Sequence, residues 1–188
     1  MLTASSASMP KVVVPDLLDP SGEPTLSQEQ QPATQPQADT DQDIPAAVRP
    51  SGDLAGMVAQ LRTAEAGSHE LDCLATGIYF ESKSEPLAGQ LAVGKVIANR
   101  TKSGGRFPSS YCGVLFQRGQ FSFVHGRSLP NVPRGSKQWQ TAVAVAKIVD
   151  QNLKESSVGD ALFFHAKYVN AAWHAKRVAS IGNHIFYR

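Results

Sequence analysis

The chain has 188 residues, 18 Lys and Arg against 16 Asp and Glu, two cysteines and a net charge of +2. No run reaches the roughly 18 apolar residues of a membrane-spanning helix, and no CxxC, zinc-finger or nucleic-acid motif is present. The modest charge hides an asymmetry, because residues 1–51 carry two basic and seven acidic residues while residues 52–188 carry sixteen and nine.

Residues 1–51 also hold eight of the twelve prolines, spaced by Gln, Ser, Thr and Asp. Such a segment buries too little apolar surface to offset its chain entropy and reads as a disordered, acidic linker. Its first residues, Met1–Ser8, show neither a charged nor an apolar leader. That leaves two readings: a cytosolic protein, or one exported by a signal this sequence does not carry. Residues 52–188 are long enough for one core and carry a net +7. A basic domain favours anionic partners such as an acidic wall polymer, although the charge also serves solubility. The cations are scattered, and nucleic acid is not expected as a partner.

Asp53 to about Ala66 reads as a short leading helix. His69 to Ser82 reads as a second, with Leu71, Leu74, Ala75 and Ile78 forming one buried stripe. Pro86 suits the first position of a third helix running to about Thr101, apolar on several sides and expected to be the central buried one. Gly104–Pro108 is a loop, and Ser110 caps a short turn through Phe116. Ser136 is the expected N-cap of a long helix to about Lys154, striped by Trp139, Ala142, Val143, Ala146, Val149 and Leu153. Gln120–Val124 and Ala161–Ala166 alternate like strands. Val178–Tyr187 reads as a closing hairpin around Gly182-Asn183. The fold class is α+β, mainly helical, with a small late sheet.

Between Asp72 and Asp150 the only carboxylates are Glu81 and Glu85. Glu81 lies three residues after Ile78 and seven after Leu74, so it continues the buried stripe. A carboxyl at the buried end of an apolar stripe has its charged form destabilised, which makes a general acid that keeps its proton near neutral pH. The plainer alternative is a solvated Glu at a helix end. Cys73 and Cys112 are either two buried thiols or, in an oxidising compartment, a disulfide closing a loop of about 40 residues. His165, His174 and His184 raise the possibility of a zinc site, but no HExxH or other tight pair is present.

Tyr79-Phe-Glu-Ser-Lys-Ser-Glu-Pro-Leu-Ala-Gly-Gln-Leu-Ala-Val-Gly-Lys-Val-Ile-Ala-Asn-Arg100 resembles the signature of the SleB-type cell wall hydrolases, E-A-R-G-E-P-x-x-G-Q-x-A-V followed by V-x-x-N-R. Phe107-Pro108, Cys112–Gln117, Gln120–Ser122, Ala161–Ala166 and Ile181–Tyr187 continue the resemblance in order. It spans about 71–188. One departure is Ser82-Lys83-Ser84 in place of Ala-Arg-Gly, which removes a glycine from the turn into Glu85. The resemblance implies a lysozyme-like domain that binds peptidoglycan glycan strands. It implies cleavage of the β-1,4 bond between N-acetylmuramic acid and N-acetylglucosamine by lytic transglycosylation, with Glu81 catalytic. The sugar's own C6 hydroxyl would then replace a second catalytic acid. Substrate binding is expected from Glu85, Gln120, Phe121, Ser122, Tyr168 and Trp173. No metal or cofactor is expected, the protein is expected to be a monomer without a membrane segment, and the cell envelope is its expected location. The alternatives are a zinc-dependent amidase and a non-catalytic glycan-binding module.

Overall fold

In the computed structural model, residues 52–126, 128–170 and 174–188 are described. The linker of 1–51 therefore lies outside the described residues, and so does Trp173. Five helices precede three strands: α1 (Leu54–Leu61), α2 (His69–Ser82), α3 (Leu87–Thr101), α4 (Tyr111–Leu115), α5 (Lys137–Asp150), β1 (Phe163–Ala166), β2 (Arg177–Ile181) and β3 (His184–Tyr187). The expected mainly helical α+β class is observed. No helix among the described residues is long and apolar enough to cross a membrane.

The helix starts follow side-chain capping. Asp53, Ser68, Ser110 and Ser136 each accept a hydrogen bond from the backbone N–H three residues on, satisfying a donor that the first turn leaves unpaired. Pro86 is one position earlier than expected. It is the N-cap of α3, with ψ of 154°, and its carbonyl accepts from Gly89 and Gln90. The turn into it needs no glycine, because the Glu85 N–H donates to the Ser82 carbonyl at 2.9 Å.

Helices α2, α3 and α5 pack against one another, with α1 on α5 and α4 on α2. Every residue of α2 from Cys73 to Tyr79 is buried, so this helix is enclosed on most sides rather than along one stripe. It shares the centre with α3, buried from Gly89 to Ala98. Trp139 on α5 is fully buried, and its indole N–H donates to the Ala64 carbonyl at 2.8 Å. The sulfurs of Cys73 and Cys112 lie 2.06 Å apart, joining the start of α2 to α4.

Three expectations need correction. First, α1 ends at Leu61 rather than near Ala66, because Arg62 turns extended and its Nε donates to Thr141 Oγ1 at 3.2 Å. Second, α5 ends at Asp150 rather than Lys154. Asn152 adopts the left-handed conformation (φ 50°), its N–H donates to Val149 and that of Leu153 to Ile148. Leu153 still packs on the core from beyond the helix, which is why the apolar stripe ran on. Third, Gln120–Val124 is not a strand. Val124 N–H closes a turn onto the Phe121 carbonyl at 3.3 Å. Phe121 and Phe123 contact each other at 5.5 Å, and Phe123 stacks on Phe80 at 4.8 Å. The alternation reports two rings seeking one aromatic cluster, not two faces of a sheet.

The strands form an antiparallel sheet in the order β1-β3-β2. Asn99 and Arg100, at the end of α3, hold the chain entering it. Asn99 Nδ2 donates to the carbonyls of Gly159 and Ala161, and Arg100 Nε to that of Leu162. The hairpin turns at Gly182-Asn183, with Gly182 at φ 56°.

Gly182 is required twice over. A side chain there is strained at positive φ, and its Cβ would fall on Glu85 Oε2. Gly104 has a similar φ of 65° and open space around it. Gly104→Ala is therefore expected to cost about 1–2 kcal/mol, the left-handed penalty alone, and Gly182→Ala clearly more. Chemical denaturation of both variants checks this, and equal costs would refute the contact.

Candidate active site

Glu81 stands one residue before the end of α2. The enclosed helix leaves this turn at the mouth of a cavity of about 410 Å³, whose walls include Phe80, Arg100, Phe164, His165 and Tyr168. Burial raises the Glu81 carboxyl from its ordinary 4.5 to about 7, against the opposing pull of the Arg100 charge. Desolvation outweighs the nearby cation, so near neutral pH the carboxyl exists in both protonation states. Among the described residues no other acidic side chain lines this cavity.

Arg100 is fixed from three sides. Its Nε is bonded to Leu162, and its guanidinium lies over Phe107 at 5.0 Å and Phe121 at 5.7 Å. Burial lowers its pKa to about 10, with Glu81 acting in the opposite direction, so it stays a cation. Its Nη1 is buried with no hydrogen-bond partner.

A second cavity of about 740 Å³ shares Arg100, Gln120, Phe164 and His165 with the first, so the two lie side by side on a common wall. Gln120 is exposed and lines both. Ser122 is exposed on the Glu81 side, and Phe121 is buried in the floor. Tyr168 is 89 % exposed on the rim. These four expected binding residues meet Glu81 around one groove.

Glu85 does not join them. It is buried behind the groove, where Oε2 accepts the Asn183 backbone N–H at 2.8 Å and Oε1 accepts Asn183 Nδ2 at 3.0 Å. His184 Nδ1 lies 4.0 Å from Oε1. Both oxygens thus hold the β2–β3 turn, and the geometry gives Glu85 the role of an internal clamp.

The three late histidines are dispersed. His165 Nδ1 lies 2.9 Å from the Ala166 carbonyl, and its Nε2 lies 2.9 Å from the Tyr187 hydroxyl. His184 is buried beside Glu85, and burial lowers its pKa. His174 lines the larger cavity. Among the described residues the one group of three close metal-ligand atoms is His69, Cys73 and Cys112, and its two sulfurs are within bonding distance of each other.

The sequence reading missed Arg100, Phe80 and Phe164 as site residues. Arg100 had a signal, as the last residue of the Tyr79–Arg100 motif. Phe80 and Phe164 stood in the sequence only as members of the Tyr79–Arg100 and Ala161–Ala166 motifs.

The family model described as Cell Wall Hydrolase matches residues 84–187, beginning three residues after Glu81. The spore cortex-lytic enzyme of Bacillus cereus is 28% identical over 124 residues, 63% of this chain and 44% of that protein. The enzyme of the same description from Bacillus subtilis is 28% identical over 121 residues, 63% of this chain and 37% of that protein. This chain thus spans less than half the length of either relative. The solved catalytic domain of the germination-specific lytic transglycosylase SleB from Bacillus anthracis superposes with a TM-score of 0.51 at 28% identity, covering 64% of this chain and 96% of that one. With more than half of its residues matched by the family model, from Ser84 to Tyr187, this chain belongs to the Cell Wall Hydrolase family.

Proposed function

We propose that this protein is a peptidoglycan lytic transglycosylase that cleaves the β-1,4 bond between N-acetylmuramic acid and N-acetylglucosamine, with Glu81 as its single acid–base group. The observation that carries the reading is a lone carboxyl, with a pKa of about 7, facing a groove that no second carboxylate lines among the described residues. The likeness to a lytic transglycosylase catalytic domain supports it.

Protonated Glu81 donates its proton to the glycosidic oxygen as the C1–O bond breaks, and N-acetylglucosamine leaves with a free hydroxyl. The Glu81 carboxylate then takes the proton of the muramoyl C6 hydroxyl, whose oxygen closes on C1. The product is a 1,6-anhydro end, Glu81 regains its proton, and no water is consumed. Arg100 stabilises the carboxylate between the two transfers. Gln120 and Ser122 offer hydrogen bonds to the sugar acetamides, and Tyr168 offers a face for stacking. The acidic linker serves as a spacer, and the cell envelope is the place of work.

Glu81→Gln is expected to keep the fold and lower cleavage of purified peptidoglycan by about 10²–10⁴-fold, the usual worth of general acid–base help. Mass spectrometry of fragments released by the wild-type chain tests the product. Anhydro ends support transglycosylation, whereas reducing ends would make the enzyme a muramidase and free peptides an amidase.

The same carboxyl affects stability. Between its unfolded value near 4.5 and its folded value near 7, the folded protein binds more protons than the unfolded chain. Stability contributed by Glu81 is therefore fully present below about 4.5 and is lost as pH rises through 7. Glu81→Gln cannot ionise, so it is expected to melt higher than wild type at pH 8, with the difference shrinking towards pH 4. A pH-independent difference would contradict the burial of this group.

We propose further that Cys73 and Cys112 are disulfide-bonded in the exported protein. Closing a loop of 39 residues is worth about 4 kcal/mol by chain-entropy reasoning. Reduction is expected to lower stability by up to that amount and to leave low-temperature activity intact, since the bond lies two turns from Glu81. Thiol titration of the unfolded, unreduced protein is expected to find none free, and two free thiols would place the protein in a reducing compartment.

A further inference from the structure

We propose that the larger cavity beside the Glu81 groove is an anion subsite, which takes a carboxylate of the stem peptide carried by the muramoyl residue. The inference rests on the glycosidase reading and adds a substrate feature to it, namely a preference for strands whose stem peptides carry free carboxylates.

The cavity, of about 740 Å³, is lined by two arginines, Arg100 and Arg106, and two histidines, His165 and His174, with no acidic side chain among its described lining residues. Arg106 is exposed, and its guanidinium lies over the Phe163 ring at 4.8 Å. Stacking fixes the plane of a guanidinium while leaving its N–H edges able to donate to a carboxylate. Phe163 is itself fixed in β1, against Phe107 at 6.0 Å. The ion pairs formed among the described residues are Arg134 with Asp72, Arg188 with Asp160, and the close approach of His184 to Glu85. Arg106 takes part in none of them. Arg100 adds a buried, unpartnered Nη1 to the same wall.

Arg106, which forms no ion pair among the described residues, and Arg100, whose Nη1 is unpartnered, line a concave site with no acidic side chain and favour an anionic ligand. In a peptide-bearing strand the lactyl carboxyl of the muramoyl sugar is held as an amide, so the sugars themselves supply none. The stem peptide does, because it hangs from the muramoyl sugar and carries free carboxylates. The shared wall of Arg100, Gln120, Phe164 and His165 sets the cavity next to Glu81, where a substituent of the reacting sugar would reach it.

The test uses the full chain with Glu81→Gln to prevent turnover, and isothermal titration with two ligands: glycan strands bearing stem peptides, and the same strands with their peptide carboxylates converted to neutral amides. Strands with free peptide carboxylates are expected to bind more tightly, with a preference that fades as salt is raised. Arg106→Gln is expected to weaken their binding about tenfold, the size of one charge-assisted hydrogen bond. Arg106→Lys is expected to weaken it less, and the amidated strands are expected to bind all three proteins alike. Equal loss on both ligands, or no loss on either, would overturn the subsite. Cleavage of both strands by the wild-type chain is measured separately. Its absence would count against the glycosidase reading, while the anion subsite is judged by binding alone.

Discussion

At the end of α3 one guanidinium is asked to satisfy two halves of the protein. Arg100 Nε holds the Leu162 carbonyl, and with Asn99 it fixes the chain that enters the sheet. Its charge also acts on Glu81 across the groove. The sheet wall and the carboxyl of α2 are thereby referred to the same side chain. Loss of its aromatic support from Phe107 and Phe121 would therefore shift the groove wall as well as the field at Glu81.

The balance at Glu81 follows from magnitudes. A unit charge near a carboxylate lowers its pKa, and removal from water raises it. Had Arg100 formed a close hydrogen-bonded pair with Glu81, the carboxyl would remain ionised and useless as an acid. No such bond is present among the described residues, and Arg100 spends its Nε on a backbone carbonyl. Its influence is then long-range, desolvation dominates, and the carboxyl settles near 7. The same Arg charge becomes more favourable once the proton has left.

Much of this was legible in the sequence because it is local. The bounds of α2 and the caps Asp53, Ser68, Ser110 and Ser136 depend on residues three or four apart, and so does the alignment of Glu81 with Leu74 and Ile78. The misreadings arose where distant packing decided. Phe121 and Phe123 alternate, yet both turn to the aromatic cluster with Phe80, and no strand among the described residues pairs with them. Leu153 belongs to the stripe of α5 but reaches the core from a left-handed turn. The Arg100–Leu162 bond spans 62 positions and the Glu85–Asn183 bond 98, separations that no periodicity reports.

Glu81 and Glu85 show how far environment, rather than residue type, sets the chemistry. They lie four positions apart on either side of one tight turn. Glu85 accepts two hydrogen bonds from Asn183, and Gly182 packs so close that no side chain fits there. For Glu85 to act on a sugar, the hairpin would have to open and strand both donors. Glu81 has no such partners among the described residues, faces the groove and is held near the pH at which a proton can be given and retaken. A retaining or inverting glycosidase needs its second carboxylate across the scissile bond. Here the second carboxylate closes the fold from behind, so among the described residues Glu81 stands in its groove with no carboxylate opposite it.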